Sequence, residues 1–211
     1  MRYVSRSLAC TLFALSLPAA LGAQSFRPEG GAPPSAIGFG VSVAMSGNEI
    51  FVGRPGLISG FPMPPSETGA IHIYRRGASG WTETGSVSAR DTVVGDGFGL
   101  AVAADANVMV VGAPNAEEGK GAVYIFERDR AGRWAERARL QLTDGAAADE
   151  FGAAVAVANG VVLAGAPGHA SKQGVVVAYR RDARAGSWSE AGRLSGSGIA
   201  AGDHFGTSLS L

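Results

Sequence analysis

The feature that most constrains this chain is a unit of 53 to 59 residues that occurs three times and begins a fourth time. Each copy carries a Phe-Gly pair, a Gly-x-Pro, a Gly that opens an apolar run, and a Trp. The copies place these landmarks at Phe39-Gly40, Pro55, Gly69 and Trp81; at Phe98-Gly99, Pro114, Gly121 and Trp134; at Phe151-Gly152, Pro167, Gly174 and Trp188; and the fourth begins at Phe205-Gly206. Phe precedes Pro by 16 positions and Trp precedes the next Phe by 17 in all three copies, so only the stretch from Pro to Trp varies in length. This spacing is typical of a structural repeat with tolerant loops.

Each copy contains the pattern of four short strands. In the second copy we predict strands over residues 99–104, 108–112, 122–127 and 133–142. The second of these is a continuous run of Val and Met, which indicates burial on both faces, and Pro114 ends it because proline cannot donate to a sheet. In the fourth strand, Trp134, Ala138, Leu140 and Leu142 share one parity, which predicts one buried face, and Glu136 interrupts that pattern.

Small residues crowd the first strand of each copy and charges crowd the fourth, which predicts that first strands converge and fourth strands lie at the periphery. The expected fold is all-β, a β-propeller of four-stranded antiparallel blades. The blades cover about residues 39–90, 98–143 and 151–195, with the first strand of a fourth at 205–211. A sandwich or a solenoid is the alternative, but a sandwich needs no such repeat and units this long in a solenoid usually carry helices.

Three blades are too few to close a propeller, so we expect an incomplete, open one whose uncovered blade faces can self-associate. Whether the natural chain continues past Leu211 stays open at this point.

The first 23 residues have the layout of a secretory signal peptide. Arg2 and Arg6 precede a short apolar run, Pro18 breaks it, and small residues lead to a cleavage site near Ala23. Residues 24–36 form a Pro- and Gly-rich leader. The mature chain is therefore expected to be secreted or extracytoplasmic, with no transmembrane segment and no disulfide, since Cys10 is removed with the signal peptide. The chain has no net formal charge, which gives no reason to expect nucleic acid as a partner.

The Phe-Gly pairs followed by Gly112-Ala113-Pro114 and Gly165-Ala166-Pro167 resemble FG-GAP repeats. The resemblance covers residues 39–211 and implies the propeller of integrin α chains and of many secreted bacterial proteins. It departs in the first copy, which has Gly53-Arg54-Pro55. Many integrin-type repeats carry an acidic calcium loop between the two motifs, whereas this chain has at most one acid there. The resemblance is thus to a calcium-free version, and we expect no cofactor, no metal and no catalytic residues.

Other chemistry-bearing residues fit structural roles. His72, His169 and His204 occupy three different positions of the repeat, His72 as a packing residue and His169 in an exposed loop. Asp96, Asp149 and Asp203 each precede the Phe by two positions and are expected to accept backbone N–H groups in the turn. A carboxylate pair or a weak cation site at Asp91, Asp96, Asp144, Asp149 and Glu150 is the alternative. The tryptophans recur once per blade, which favours anchoring over sugar stacking.

The stretch between Pro55 and Gly69 is about twice as long as its counterparts and contains Leu57, Ile58, Phe61 and Met63. These apolar side chains form a candidate partner-binding loop, with an insertion that packs on its own blade as the alternative. Its expected partner is an unknown protein or glycan. The hypothesis is a secreted, non-catalytic binding or adhesion module. The alternatives are an accessory propeller of an extracellular enzyme whose catalytic domain lies beyond this chain, and a structural surface element.

Overall fold

The computed structural model describes residues 38–56 and 67–211, which form three four-stranded antiparallel sheets. Blade 1 contains β1 (Val43–Ser46), β2 (Glu49–Arg54), β3 (Ala70–Gly77) and β4 (Gly80–Val87). Blade 2 contains β5 (Ala101–Asp105), β6 (Val108–Ala113), β7 (Ala122–Arg128) and β8 (Trp134–Leu140). Blade 3 contains β9 (Ala154–Ala158), β10 (Val161–Ala166), β11 (Val175–Arg181) and β12 (Trp188–Leu194). Strands adjacent in sequence are adjacent in each sheet, so the predicted all-β fold of four-stranded blades is confirmed.

The blades stack side by side through their first strands, with β5 lying against both β1 and β9. Two apolar cores fill the spaces between blades. Phe98 is fully buried in the core between blades 1 and 2, with Phe51 and Tyr124 around it. Phe151 is fully buried in the core between blades 2 and 3, which includes Val123. Small residues dominate the first strands because two neighbouring backbones approach each other there.

A β-bulge interrupts the fourth strand of each blade. In blade 2 the pairing steps from Ile125 opposite Ala138 to Phe126 opposite Glu136, so Arg137 is left unpaired. The expectation that Trp134 shares one face with Ala138 and Leu140 is therefore wrong. One extra residue reverses the side on which the following residues lie. Trp134 packs with blade 1, whereas Leu140 belongs to the core shared with blade 3.

Two four-residue helical turns, α1 (Ala116–Gly119) and α2 (His169–Lys172), connect the second and third strands of blades 2 and 3. Both have left-handed backbone at their centre, with φ near +51° and +59° for Glu117 and Glu118 and the same values for Ala170 and Ser171. They are parts of loops and are too short to produce a helical period in the sequence. Within the described ranges, no helix has the length and hydropathy to cross a membrane.

The two ends of the stack differ. On blade 1 the face turned away from blade 2 leaves Val41, Val43 and Met45 between 52% and 65% exposed. At the other end, Phe205 forms a single bridge with Gly174, and residues 205–211 form no strand. The expected first strand of a fourth blade is thus not formed within residues 205–211, and Phe205 makes only the bridge that Phe151 makes with Gly121 ahead of β9. The expected signal peptide (residues 1–23) and leader (residues 24–36) lie outside the described residues.

Candidate functional site

Three of the four Phe-Gly pairs lie against two glycines of the preceding blade. A Cβ added to Gly112 would lie 1.9 Å from the carbonyl oxygen of Gly152, and one added to Gly121 would lie 2.1 Å from that of Phe151. The same arrangement places Gly53 and Gly69 against Phe98-Gly99, and Gly165 and Gly174 against Phe205-Gly206. Two of the four landmarks thus form a docking site for the next Phe-Gly pair. Gly40 has no preceding blade among the described residues, and a Cβ there would meet nothing within 4 Å.

The left-handed loops supply hydrogen bonds to this docking site. The amides of Glu150 and Phe151 donate to the carbonyls of Gly119 (2.8 Å) and Lys120 (3.1 Å), and Phe205 donates in the same way to Gln173 (2.8 Å). The loops between second and third strands therefore lie beside the turns that precede each Phe-Gly pair. Together they make one face, here called the upper face, which consists of loops 114–121 and 167–174 and turns 88–98, 141–151 and 195–205. The hairpin turns at the opposite ends of the strands make the lower face.

An aspartate holds each of these turns. Its side-chain oxygen accepts a hydrogen bond from the backbone N–H of the residue three positions earlier. The donor and acceptor pairs are Val93 and Asp96 (2.9 Å), Ala146 and Asp149 (2.9 Å), and Ala200 and Asp203 (2.8 Å). Asp96 and Asp149 are buried while doing so. The carboxylates thus occupy the positions expected of turn caps.

Arginines engage three further acidic groups of this face, whereas Glu118 and Glu150 are exposed to solvent. Arg139 contacts Asp91 (3.2 Å) and Glu117 (2.6 Å), and the equivalent Arg193 donates to both oxygens of Asp144 at 2.8 Å. The hydrogen bond from Arg193 lowers the pKa of Asp144, and that from Arg139 lowers the pKa of Glu117. A guanidinium therefore fills the place that a cation would take. Among residues 38–56 and 67–211, no three His, Cys, Asp or Glu residues are grouped so that they could hold a metal ion.

His169 does not lie in the exposed loop expected for it. Its side chain is only 20% exposed, and its Nδ1 is 2.9 Å from Asp149 Oδ2. Blade 2 has the buried Ala116 at this position, so the histidine fills the same space and adds a polar contact. The loop after Gly-Ala-Pro folds back over the turn of its own blade, which sequence spacing does not reveal.

His72 lies among side chains of blade 1. It contacts Glu83 (2.7 Å), accepts from Arg54 Nε (3.2 Å) and stacks edge-on with Phe39, with ring centroids 5.4 Å apart. His204 is exposed in the turn before Phe205 and has left-handed backbone.

Two of the three tryptophans, Trp134 and Trp188, lie at blade junctions, and Trp81 lies on the fourth strand of blade 1. Trp188 is buried in the core between blades 2 and 3, and Trp134 packs edge-on against Phe51, with ring centroids 5.4 Å apart. The candidate partner-binding residues Leu57, Ile58, Phe61 and Met63 lie outside the described residues. The ends of their loop are described, and Gly69 contacts the carbonyl of Phe98, which places that end on the upper face.

Two stretches of the chain, residues 81–126 and 134–187, match the FG-GAP repeat family. The chain carries FG-GAP repeats. Each matched stretch runs from the fourth strand of one blade to the third strand of the next, so the FG-GAP sequence unit is displaced from the blade by one strand. Each stretch contains one Phe-Gly pair, docked on the preceding blade.

Comparison with curated proteins finds no match for this FG-GAP repeat chain. Among solved structures, the crystal structure of Saccharomyces cerevisiae Sqt1 is similar, with a TM-score of 0.48 and 10% identity. The alignment covers 75% of this chain and 36% of that one, so the present chain spans about a third of the length of its structural relative.

Proposed function

We propose that this FG-GAP repeat chain is a secreted or surface-exposed, non-catalytic binding module that contacts a protein or a glycan through the loops of its upper face. The observation that carries the proposal is a constant backbone with variable side chains. α1 and α2 share the same left-handed conformation, yet present Glu117 and Glu118 in blade 2 and Ala170 and Ser171 in blade 3. Loops that differ in chemistry on a repeated scaffold are typical of recognition surfaces.

The rigidity of these loops also favours recognition. Their carbonyls are tied to the next blade by main-chain hydrogen bonds, so little conformational freedom remains to be lost on binding. The aspartates of the turns are held by arginines or by backbone amides, which supports a binding role over general acid–base chemistry.

The test is binding of the mature chain, residues 24–211, to a glycan array and to a panel of purified extracellular matrix proteins. Any ligand found is then measured against two charge variants. Glu118→Arg with Ser171→Arg alters exposed positions of the upper face, and Arg130→Glu with Arg184→Glu alters exposed positions of the lower face.

We expect the first variant to lose binding and the second to retain it. Binding that survives the upper-face changes, or that is lost only with the lower-face changes, would contradict the assignment, as would the absence of any ligand in both panels. The expectation of secretion has its own test. The N-terminal residue of the exported protein should be Gln24, and an intact Met1 would contradict the signal peptide.

A further inference from the structure

The two blade junctions have an arginine and a tryptophan at equivalent positions of the lower face but differ in the acid that lies beside them. Arg181, at the end of β11, donates to Glu127 of blade 2 at 2.7 and 3.1 Å, and the indole N–H of Trp188 donates to the same carboxylate at 3.1 Å. Arg128 and Trp134 occupy the corresponding positions at the junction of blades 1 and 2. At the junction of blades 2 and 3, here called the second junction, the carboxylate of Glu127 thus accepts hydrogen bonds from both a guanidinium and an indole.

At the junction of blades 1 and 2, here called the first junction, the position equivalent to Glu127 does not hold a carboxylate. Glu127 pairs with Val108 across the sheet, whereas the equivalent pair in blade 1 is Arg75 with Glu49. The acid has therefore moved to the neighbouring strand, where Arg128 and Arg75 both donate to it. As a result, the indole nitrogen of Trp134 is buried and has no hydrogen-bond partner within the described residues.

A groove of about 360 Å³ opens at the same place. Ile73 and Val87 provide apolar lining, and Gly85 lies where blade 2 has Ala138. A Cβ added to Gly85 would meet nothing within 4 Å, so the missing methyl group leaves open space. This volume is within the range of pockets that take small ligands.

The groove is rich in donors and poor in free acceptors. Arg75 is 51% exposed and Arg133 is 80% exposed on their side chains. Among the described residues that line the groove, Glu49 is the one carboxylate, and two guanidiniums already engage it. A ligand without an acceptor would leave the buried indole N–H of Trp134 unpaired, which is costly for a buried group.

We propose that this groove binds a monocarboxylate with a compact apolar stem, such as an aromatic acid. The ligand carboxylate takes the place that the Glu127 carboxylate holds at the second junction, accepting from Trp134 Nε1 and from an arginine. The stem lies against Ile73 and Val87, in the space above Gly85. The site is on the lower face and is independent of the proposed recognition by the upper face.

Phenylacetate is a suitable probe, with phenylacetamide as its neutral counterpart of the same shape. We expect phenylacetate to shift the Trp134 indole N–H resonance in a saturable way in the ¹⁵N-labelled mature chain, with Trp134→Phe identifying that resonance. A ligand of this size should bind with a dissociation constant of about 1 mM. The amide should bind about tenfold more weakly because it cannot form charge-assisted hydrogen bonds.

The double variant Glu49→Val with Arg75→Glu transplants the Val108–Glu127 pair of the second junction into the first. The new carboxylate should satisfy Trp134 internally, so we expect its indole resonance to be shifted without ligand and phenylacetate binding to fall at least about tenfold. Arg130→Glu, an exposed change on the adjacent turn, should leave binding unchanged.

Three results would overturn the proposal: no saturable shift of the Trp134 resonance up to about 20 mM phenylacetate, equal binding of the amide, or undiminished binding by the folded double variant.

Discussion

Replacing Gly112 by Ala tests the docking of one blade on the next. Its Cβ would lie 1.9 Å from the carbonyl oxygen of Gly152 and 2.9 Å from the carbonyl carbon, so one backbone must move by more than 1 Å. Both partners are main chain, and no side chain can rotate away. Overpacking usually costs 1–3 kcal/mol, and a rigid backbone contact belongs at the upper end, so we expect the free energy of unfolding to fall by about 3 kcal/mol.

Urea denaturation followed by tryptophan fluorescence measures this effect. With a slope of about 2 kcal/mol per molar urea, the midpoint should fall by about 1.5 M. Gly192→Ala is the matched control, because Gly192 also lies in a strand, has no positive φ, and would place its Cβ in open space. Gly165→Ala should have an intermediate effect of about 1 kcal/mol, since its obstacle, the carbonyl of Gly206, belongs to a segment that forms no strand. If Gly112→Ala and Gly192→Ala had the same midpoint, the docking explanation of this landmark would be refuted.

The remaining predictions concern burial, charge and association. Phe151→Ala should lower the free energy of unfolding by about 3–5 kcal/mol, because the ring is fully buried between blades. His169→Ala should cost about 1 kcal/mol, because it removes a partner of a buried carboxylate, and a cost near zero in urea melts would restore the exposed-loop interpretation. Burial alone would raise the pKa of Glu49, but hydrogen bonds from two arginines outweigh it and lower the pKa. The stabilisation is therefore present above about pH 4.5 and is lost as the pH falls through the lowered pKa, so wild type should lose more stability between about pH 5 and pH 3 than Glu49→Gln. Residues 24–211 alone should self-associate in light scattering through the exposed apolar face of blade 1, and a monodisperse monomer with a sharp melt would contradict this.

The repeat predicted most of the fold because its landmarks report backbone requirements. Phe-Gly, Gly-x-Pro and the later Gly are the residues at which two main chains touch, and few alternatives are sterically possible there. The strands between them follow from alternation and from continuous apolar runs. These local rules place the blades, their order and the burial of Phe98 and Phe151.

What the sequence did not predict depends on register and on contacts between distant residues. The bulge at Arg137 moves the side chains before it to the opposite side of the sheet from those after it, and no residue type at this position requires a bulge. His169 folds back onto Asp149, 20 positions earlier, through a left-handed loop of ordinary residues. The acid lies on the third strand of blade 2 as Glu127 but on the second strand of blade 1 as Glu49, and this shift is visible only when the two blades are aligned strand by strand.

The docking of each Phe-Gly pair on the blade before it gives assembly a direction. Gly112 is the penultimate residue of β6 and Gly121 precedes β7, so the docking site is complete as soon as that hairpin has formed. Phe151 follows Gly121 by 30 residues. When the chain is made from its N-terminus, the docking site therefore exists before Phe151 reaches it. A blade can therefore dock on the blade that precedes it in the sequence, but it provides no docking site for that preceding blade. During synthesis or export this polarity favours vectorial growth of the stack, each blade serving as the template on which the following one orders.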